Sequence, residues 1–169
     1  FQLLSSKPTF YIANIDDSEQ SAKNLMELKS IANELGSSVI PASIKIEQEI
    51  SLLKEDEKLE YLELLNMDEP VLNKIIFEGY KLLGLKTYFT AGPKEIRAWT
   101  IRDGYTAPNA AGVIHTDFER GFIKAEVIDF KDFIACNGES GAKEKGRLRL
   151  EGKEYLVKDG DVIHFKFNV

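Results

Sequence analysis

Near residue 85 the apolar residues change period, and that change most constrains what the chain can become. Before it, apolar positions recur three and four apart, between two short apolar runs. After it, they mostly alternate. A period near 3.6 belongs to helices and a period of 2 to strands. The 169 residues therefore read as two units, 1–84 and 85–169, with the boundary inside 84–87. Each is long enough for a modest core of its own.

The first unit reads as strand, helix, strand. PTFYIA (8–13) is a buried parallel strand in character, and NIDDS turns out of it. Asp17 or Ser18 caps a helix over 18–35, where Leu25, Leu28, Ile31, Ala32 and Leu35 share one face. Gly36 stops it. SVIPA (38–42) is a second strand, which makes a βαβ unit with parallel strands and a right-handed crossover. Residues 46–83 are helical in character, with Asp68 as a candidate N-cap, Pro70 near N1 and Gly84 as a stop.

The second unit reads as a small mixed sheet with one or two helices. Strands are expected over 87–91, 96–101, 121–128, 147–152, 154–158 and 161–168, and helices over 106–114 and 130–135. Gly92-Pro93, Asp103-Gly104 and Asp159-Gly160 are turn signals. Tyr88, Phe89, Trp99, Phe122, Phe165 and Phe167 fall at strand spacing and belong mostly to its core.

Composition narrows the class. With 43% hydrophobic and 30% charged residues the chain is globular, not disordered. No run approaches the ~18 apolar residues of a membrane helix, and the opening residues lack the pattern of a signal peptide. The chain starts without Met and in mid-phrase, as a fragment of a longer protein would. A single cysteine, Cys136, gives no internal disulfide and fits a cytoplasmic location. Two histidines and one cysteine, widely spaced, do not make a structural zinc site. Net charge is −6, all of it in residues 1–86, where 15 acidic residues outweigh 9 basic ones; residues 87–169 hold 13 of each. That balance indicates no DNA specificity.

Ligands of parallel sheets bind beyond the carboxyl ends of the strands. Two loops of the βαβ unit lie there: Asn14-Ile15-Asp16-Asp17 and Ala42-Ser43-Ile44-Lys45. An Asn amide donates and accepts, a carboxylate three residues later accepts from ring and exocyclic N–H groups, and the second loop offers backbone N–H groups. That set suits a purine edge. The plainer reading is a helix cap at Asp17 and Ser18 and a turn at Asn14. No G-x-x-x-x-G-K-[ST] occurs, so the chain has no cradle for phosphates and no adjacent hydroxyl for Mg²⁺. Elsewhere, His115, His164 and Cys136 read as structural. Lys143, Lys145, Arg147, Arg149 and Lys153 form a basic run. If Arg147 and Arg149 alternate on one strand they share a face, either as an RNA-phosphate contact or as a charged edge that deters aggregation.

The long patterns AGPKEIRAWTI and GVIHTDFERGFIKAEVI, the ending EGKEYLVKDGDVIHFKFNV, and KPTFYIANIDD…VIPAS upstream closely resemble the Obg-like ATPases of the YchF type. The resemblance implies the end of a Ras-like P-loop G domain over 1–84 and a TGS domain, a β-grasp (ubiquitin-like) module, over 85–169. It implies a purine nucleotide, ATP or GTP with Mg²⁺, and a ribosome or ribosomal RNA partner. The phosphate loop, switch regions and catalytic residues of such a protein would lie upstream, leaving this chain alone inactive. The family's base motif N-x-x-E falls on Asn14, Ile15, Asp16 and Asp17, and its second base loop on Ser43-Ile44-Lys45. Asp17 departs from that motif: it has the acid of a GTPase N-K-x-D, while Ile15 stands where such a GTPase has Lys. Adenine presents no N1–H to a carboxylate, so the departure opens the choice between ATP and GTP. The alternative is a non-enzymatic β-grasp module that binds RNA or the ribosome. A conjugated ubiquitin-like modifier is not expected, because the ending Phe167-Asn168-Val169 lacks Gly-Gly.

Overall fold

The computed structural model describes residues 3–92 and 95–168. Pro93 of the Gly92-Pro93 turn and Val169 of the ending lie outside the described residues. The chain forms two compact units, Phe1–Leu83 and Gly84–Val169. At their junction Gly84 takes φ +61°, a left-handed conformation open to glycine at little cost.

In the first unit, strand β1 (Tyr11–Asn14) and strand β2 (Val39–Ala42) pair in parallel, Tyr11 against Val39 through Asn14 against Ala42. Helix α1 (Glu19–Glu34) crosses between them. The first strand starts at Tyr11, three residues later than the sequence pattern. The N-cap of α1 is Ser18, whose hydroxyl accepts the Ser21 N–H. The helical stretch resolves into α2 (Ile44–Leu52), α3 (Glu55–Leu64) and α4 (Val71–Leu82).

Asp68 does not cap α4. Pro70 occupies the N-cap position and brings no side-chain bond. The first amides of α4 are instead satisfied from α2: the Glu47 carboxylate accepts the N–H of Val71 at 2.8 Å and of Leu72 at 3.2 Å. The carboxylate meets both the orphan donors and the positive end of the helix. Ile40, Ala42 and Val71 form a small core with Phe10, Met67 and Ile75 against it.

The second unit is a five-stranded mixed sheet of β3 (Leu85–Ala91), β4 (Ile96–Arg102), β5 (Phe122–Asp129), β6 (Arg149–Glu151) and β7 (Asp161–Phe167), in the order β4-β3-β7-β5-β6. The first and last strands run parallel at its centre; the other pairs are antiparallel. Helix α5 (Ala107–Ile114) contributes Ala107, Ala110 and Ala111 to a core with Tyr88, Val127, Ile163 and Phe165. Tyr88, Phe122 and Phe165 are buried as their spacing predicts, whereas Phe167 lies at the margin.

Two short helices, α6 (Thr116–Arg120) and α8 (Glu139–Glu144), carry no sequence signal strong enough to predict them. The predicted helix over 130–135 is α7 (Phe130–Ala135). Close approach of the chain end explains the glycine of the FERGF stretch: a Cβ at Gly121 would stand 2.1 Å from the Asn168 carbonyl oxygen. Only a glycine lets the backbones approach for the Asn168 N–H to reach the Gly121 carbonyl.

Two expected strands fail. Residues 147–152 form a strand only over Arg149–Glu151, and 154–158 form none, making a single bridge between Leu156 and Thr106. Side chains account for the second case. Asp161, 2% exposed, accepts the Tyr155 hydroxyl at 2.7 Å and the Lys158 N–H at 2.9 Å, and pairs with Arg149 at 3.4 Å. Those bonds fold the segment back on β7 instead of letting it extend along a neighbour.

Burial and then the bond to Asp161 push the Tyr155 hydroxyl up to about 12, and burial also pushes up that of Tyr88. A phenol with a raised folded pKa contributes stability that is complete below its unfolded value, about 10. That stability is lost as pH rises through the folded value. The denaturation midpoint of the chain should therefore fall between pH 10 and 12. Tyr155→Phe should start less stable and fall less steeply, as read by urea titration across that range. Equal slopes in the two proteins would contradict the assignment.

Candidate functional site

Parallel pairing in phase brings the carboxyl ends of β1 and β2 side by side. The ladder runs one residue further: Ile15 N–H donates to the Ala42 carbonyl at 3.0 Å. Beyond that, the Asn14 side chain accepts the Ile44 N–H through Oδ1 at 3.2 Å. The two loops are thus clamped together by one backbone bond and one side-chain bond. One lone pair of the Asn14 amide oxygen is spent on this. Its Nδ2 hydrogens remain for a ligand.

The neighbouring acids divide their labour. Asp16 Oδ1 accepts the Ser18 N–H at 3.0 Å and the Ser18 hydroxyl, while the Ser21 hydroxyl accepts the Asp16 N–H at 3.1 Å. The Ser18 hydroxyl, then its amide, hold the Asp16 carboxyl below its usual range. Asp16 therefore belongs to the entry of α1. Among the described residues, no hydrogen bond or ion pair engages the exposed Asp17 carboxylate. So the plainer reading holds for Ser18 and its support from Asp16, and leaves Asp17 available.

Asn14, Ile15, Asp17, Ser43 and Lys45 line an open recess of about 470 Å³, within the ~300–1,000 Å³ typical of small-molecule sites. Ser43 is the N-cap of α2, yet its side chain makes no capping bond. With the Ile44 amide taken, the next amides of α2, at Lys45 and Ile46, have no intrahelical partners. The recess thus offers a carboxylate acceptor, amide donors and a free hydroxyl. These suit the edge of a heterocycle. They do not suit a triphosphate with Mg²⁺: the recess has no lysine on a glycine-rich loop and no paired hydroxyl to hold the ion.

The basic run is not one surface. Lys143 lies in α8, Lys145 caps its end and Lys153 lies in the turn after β6. Arg147 precedes β6 and faces the Asp132 carboxylate at 3.9 Å. Arg149, half-buried, is held by Glu151 at 3.2 Å, the Tyr155 hydroxyl at 3.2 Å and Asp161. Arg147 lies outside β6, so it and Arg149 do not alternate on one strand. His115 caps α6, its Nδ1 accepting the Asp117 N–H at 3.2 Å. Cys136 is a half-buried free thiol. The clamp at Ile44 was not foreseen, and only the loop-to-loop distance reveals it; the Asp16, Ser18, Ser21 spacing was a readable signal of a capped helix start.

A parallel strand-helix-strand unit followed by a separate mixed-sheet unit defines a mixed α/β protein. The YchF-GTPase_C family, described as "Protein of unknown function (DUF933)", matches residues 85–168. The chain is 56% identical over 170 residues to the ribosome-binding ATPase YchF of Pasteurella multocida and 50% identical over 171 residues to that of Bacillus subtilis. These alignments cover 100% and 99% of this chain and 47% of each relative. It also superposes on the structure of the Schizosaccharomyces pombe YchF GTPase with a TM-score of 0.80 at 38% identity, over 97% of this chain and 44% of that one. The chain belongs to the YchF family and matches the C-terminal portion of its members. It spans about half the length of the curated relatives it matches.

The clamp predicts a local effect. Asn14→Ala removes the acceptor of the Ile44 amide, a net loss of about 0.5–1.5 kcal/mol for such a bond. Amide exchange at Ile44 should accelerate roughly three- to tenfold, with little change in α4. Unchanged exchange at Ile44 would show that the bond holds nothing in place.

Proposed function

We propose that this chain is the part of a ribosome-associated purine nucleotide hydrolase that recognises the base and carries a second, docking domain. The recess built by the clamped Asn14 and Ser43 loops carries the reading. In it, Asn14 Nδ2 donates to the purine, Asp17 accepts from ring or exocyclic N–H groups, Ser43 and the following amides meet a base carbonyl or ring nitrogen, and the Ile15 side chain supplies an apolar wall. Residues 1–84 are then the end of a Ras-like P-loop G domain. Its strands and helices expose apolar side chains that a complete sheet would cover, among them Ile31, Leu35, Leu72 and Phe77. Residues 85–169 are a TGS domain, since the order second-first-last-third-fourth with a parallel central pair is that of a β-grasp sheet. The nucleotide is ATP or GTP. Its phosphates and Mg²⁺ are held by residues outside this chain, which on its own hydrolyses neither. The relatives bear the name ribosome-binding ATPase, which supports the ribosome as partner and with it a cytoplasmic location; among the described residues no helix is long and apolar enough to cross a membrane.

In the longer protein, Asn14→Ala should weaken ATP and GTP alike, by about 1–3 kcal/mol when the buried partner is left unpaired. Asp17→Glu should change their ratio toward ATP. Titration calorimetry of both nucleotides reads both effects; a ratio unmoved by Asp17→Glu would place selectivity elsewhere.

Ribosome contact through the basic segment is carried by Lys143, Lys145, Arg147 and Lys153, with Arg149 tied to Glu151, Tyr155 and Asp161. Replacing Lys143, Lys145 and Arg147 by Glu should reduce co-sedimentation with ribosomes. Each lost phosphate contact should flatten the salt slope by roughly 0.7–0.9. Equal pelleting of both proteins at every salt concentration would move the contact to another surface.

A further inference from the structure

The sheet of the second unit has two faces. One carries the core. On the other, Glu126 of β5 stands directly opposite His164 of β7, with Glu126 Oε2 and His164 Nδ1 4.0 Å apart. Glu139, the first residue of α8, comes to the same place. One ligand atom from each of the three side chains lies within 4.8 Å of the other two. They surround a recess of about 10 Å³, walled by Ala91, Phe133, Leu148 and Val162, with room for about one water or ion.

We propose that Glu126, Glu139 and His164 form a binding site for one divalent transition-metal ion of the Zn²⁺ or Mn²⁺ class. An imidazole nitrogen with two carboxylates is a three-ligand set that such ions accept, leaving a position for water. The three donors come from three separate elements, two strands and a helix, so their convergence is a product of the tertiary fold and not of local sequence. Charge points the same way. Two carboxylates meet here, and among the described residues one ammonium answers them: Lys166 Nζ lies 3.3 Å from Glu126 Oε2, and Glu139 has no ion-pair partner. Lys166 then acts as the outer group that orients the Glu126 carboxylate. The His164 and Glu139 side chains are exposed, so they can rotate from their present separations to bonding distance, and an ion can enter from solvent. The apolar walls would limit water behind it. A bound ion would tie α8, whose far end carries Lys143 and Lys145, to β5 and β7.

The test is calorimetric titration of the chelator-treated chain with ZnCl₂ and, separately, MnCl₂, in the Cys136→Ser background so that the thiol takes no part. One ion per chain is expected for at least one metal. His164→Ala and Glu139→Gln should each weaken it by about tenfold or more, while His115→Ala leaves it unchanged. Both replaced side chains are exposed, and circular dichroism verifies that the variants fold. Absence of saturable binding of either metal, or binding as tight in His164→Ala as in the parent, would overturn the assignment.

Discussion

Parallel pairing of β1 and β2 in phase is the constraint on which the first unit depends. It sends both strands out at the same end, so two loops separated by a sixteen-residue helix meet. An antiparallel pair would have put them at opposite ends. Once they meet, Asn14 locks the first residue of α2 to the end of β1. Glu47 of the same helix then caps α4. One short helix thereby transmits the position of the strand ends to the last helix of the unit. The recess, its amide donors and the free Asp17 carboxylate all follow from that sequence of contacts.

The second unit is organised by a different interaction. A carboxylate buried as deeply as Asp161 is tolerated only when its oxygens are paired and hydrogen-bonded. Arg149, Tyr155 and the Lys158 amide supply those partners. Their cost is that the Arg149 guanidinium is tied to acceptors of its own unit and the segment after β6 leaves the sheet. Removing the carboxylate would strand a partly buried guanidinium, so this group holds β6, the following turn and β7 as one assembly. Of the cations left outside it, Lys143, Lys145 and Arg147 lie in and just after α8, and Lys153 lies in the turn after β6.

Much of this was legible. The strand-helix-strand start, the parallel pairing of β1 and β2, the existence of β3 and β4 and the buried aromatics follow from periodicity and turn chemistry, which are local. What was not legible is non-local. Asp68 has the right chemistry for a cap, but the α4 amides lie against Glu47, distant in sequence. EYLVK alternates like a strand, yet its tyrosine is committed to Asp161. The apolar stripe of α1 was read correctly as a stripe, while only Ala32 of that helix is buried; periodicity reports that a face wants cover and is silent about whether this chain supplies it. The place of Asn14 and Ser43 at the strand ends is legible in the strand-helix-strand pattern, but the bond from the Ile44 N–H to Asn14 Oδ1 depends on a distance between loops that no spacing encodes.

The central claim is that the clamped loops at the ends of β1 and β2 receive a purine. Titrating the ¹⁵N-labelled chain with adenosine and with guanosine isolates the base from the phosphates, and chemical shifts report weak binding residue by residue. The account predicts saturable shifts confined to the amides of residues 14–18 and 43–46, lost in Asn14→Ala, with none in residues 143–153. Shifts absent at both loops, or spread over the second unit instead, would contradict it.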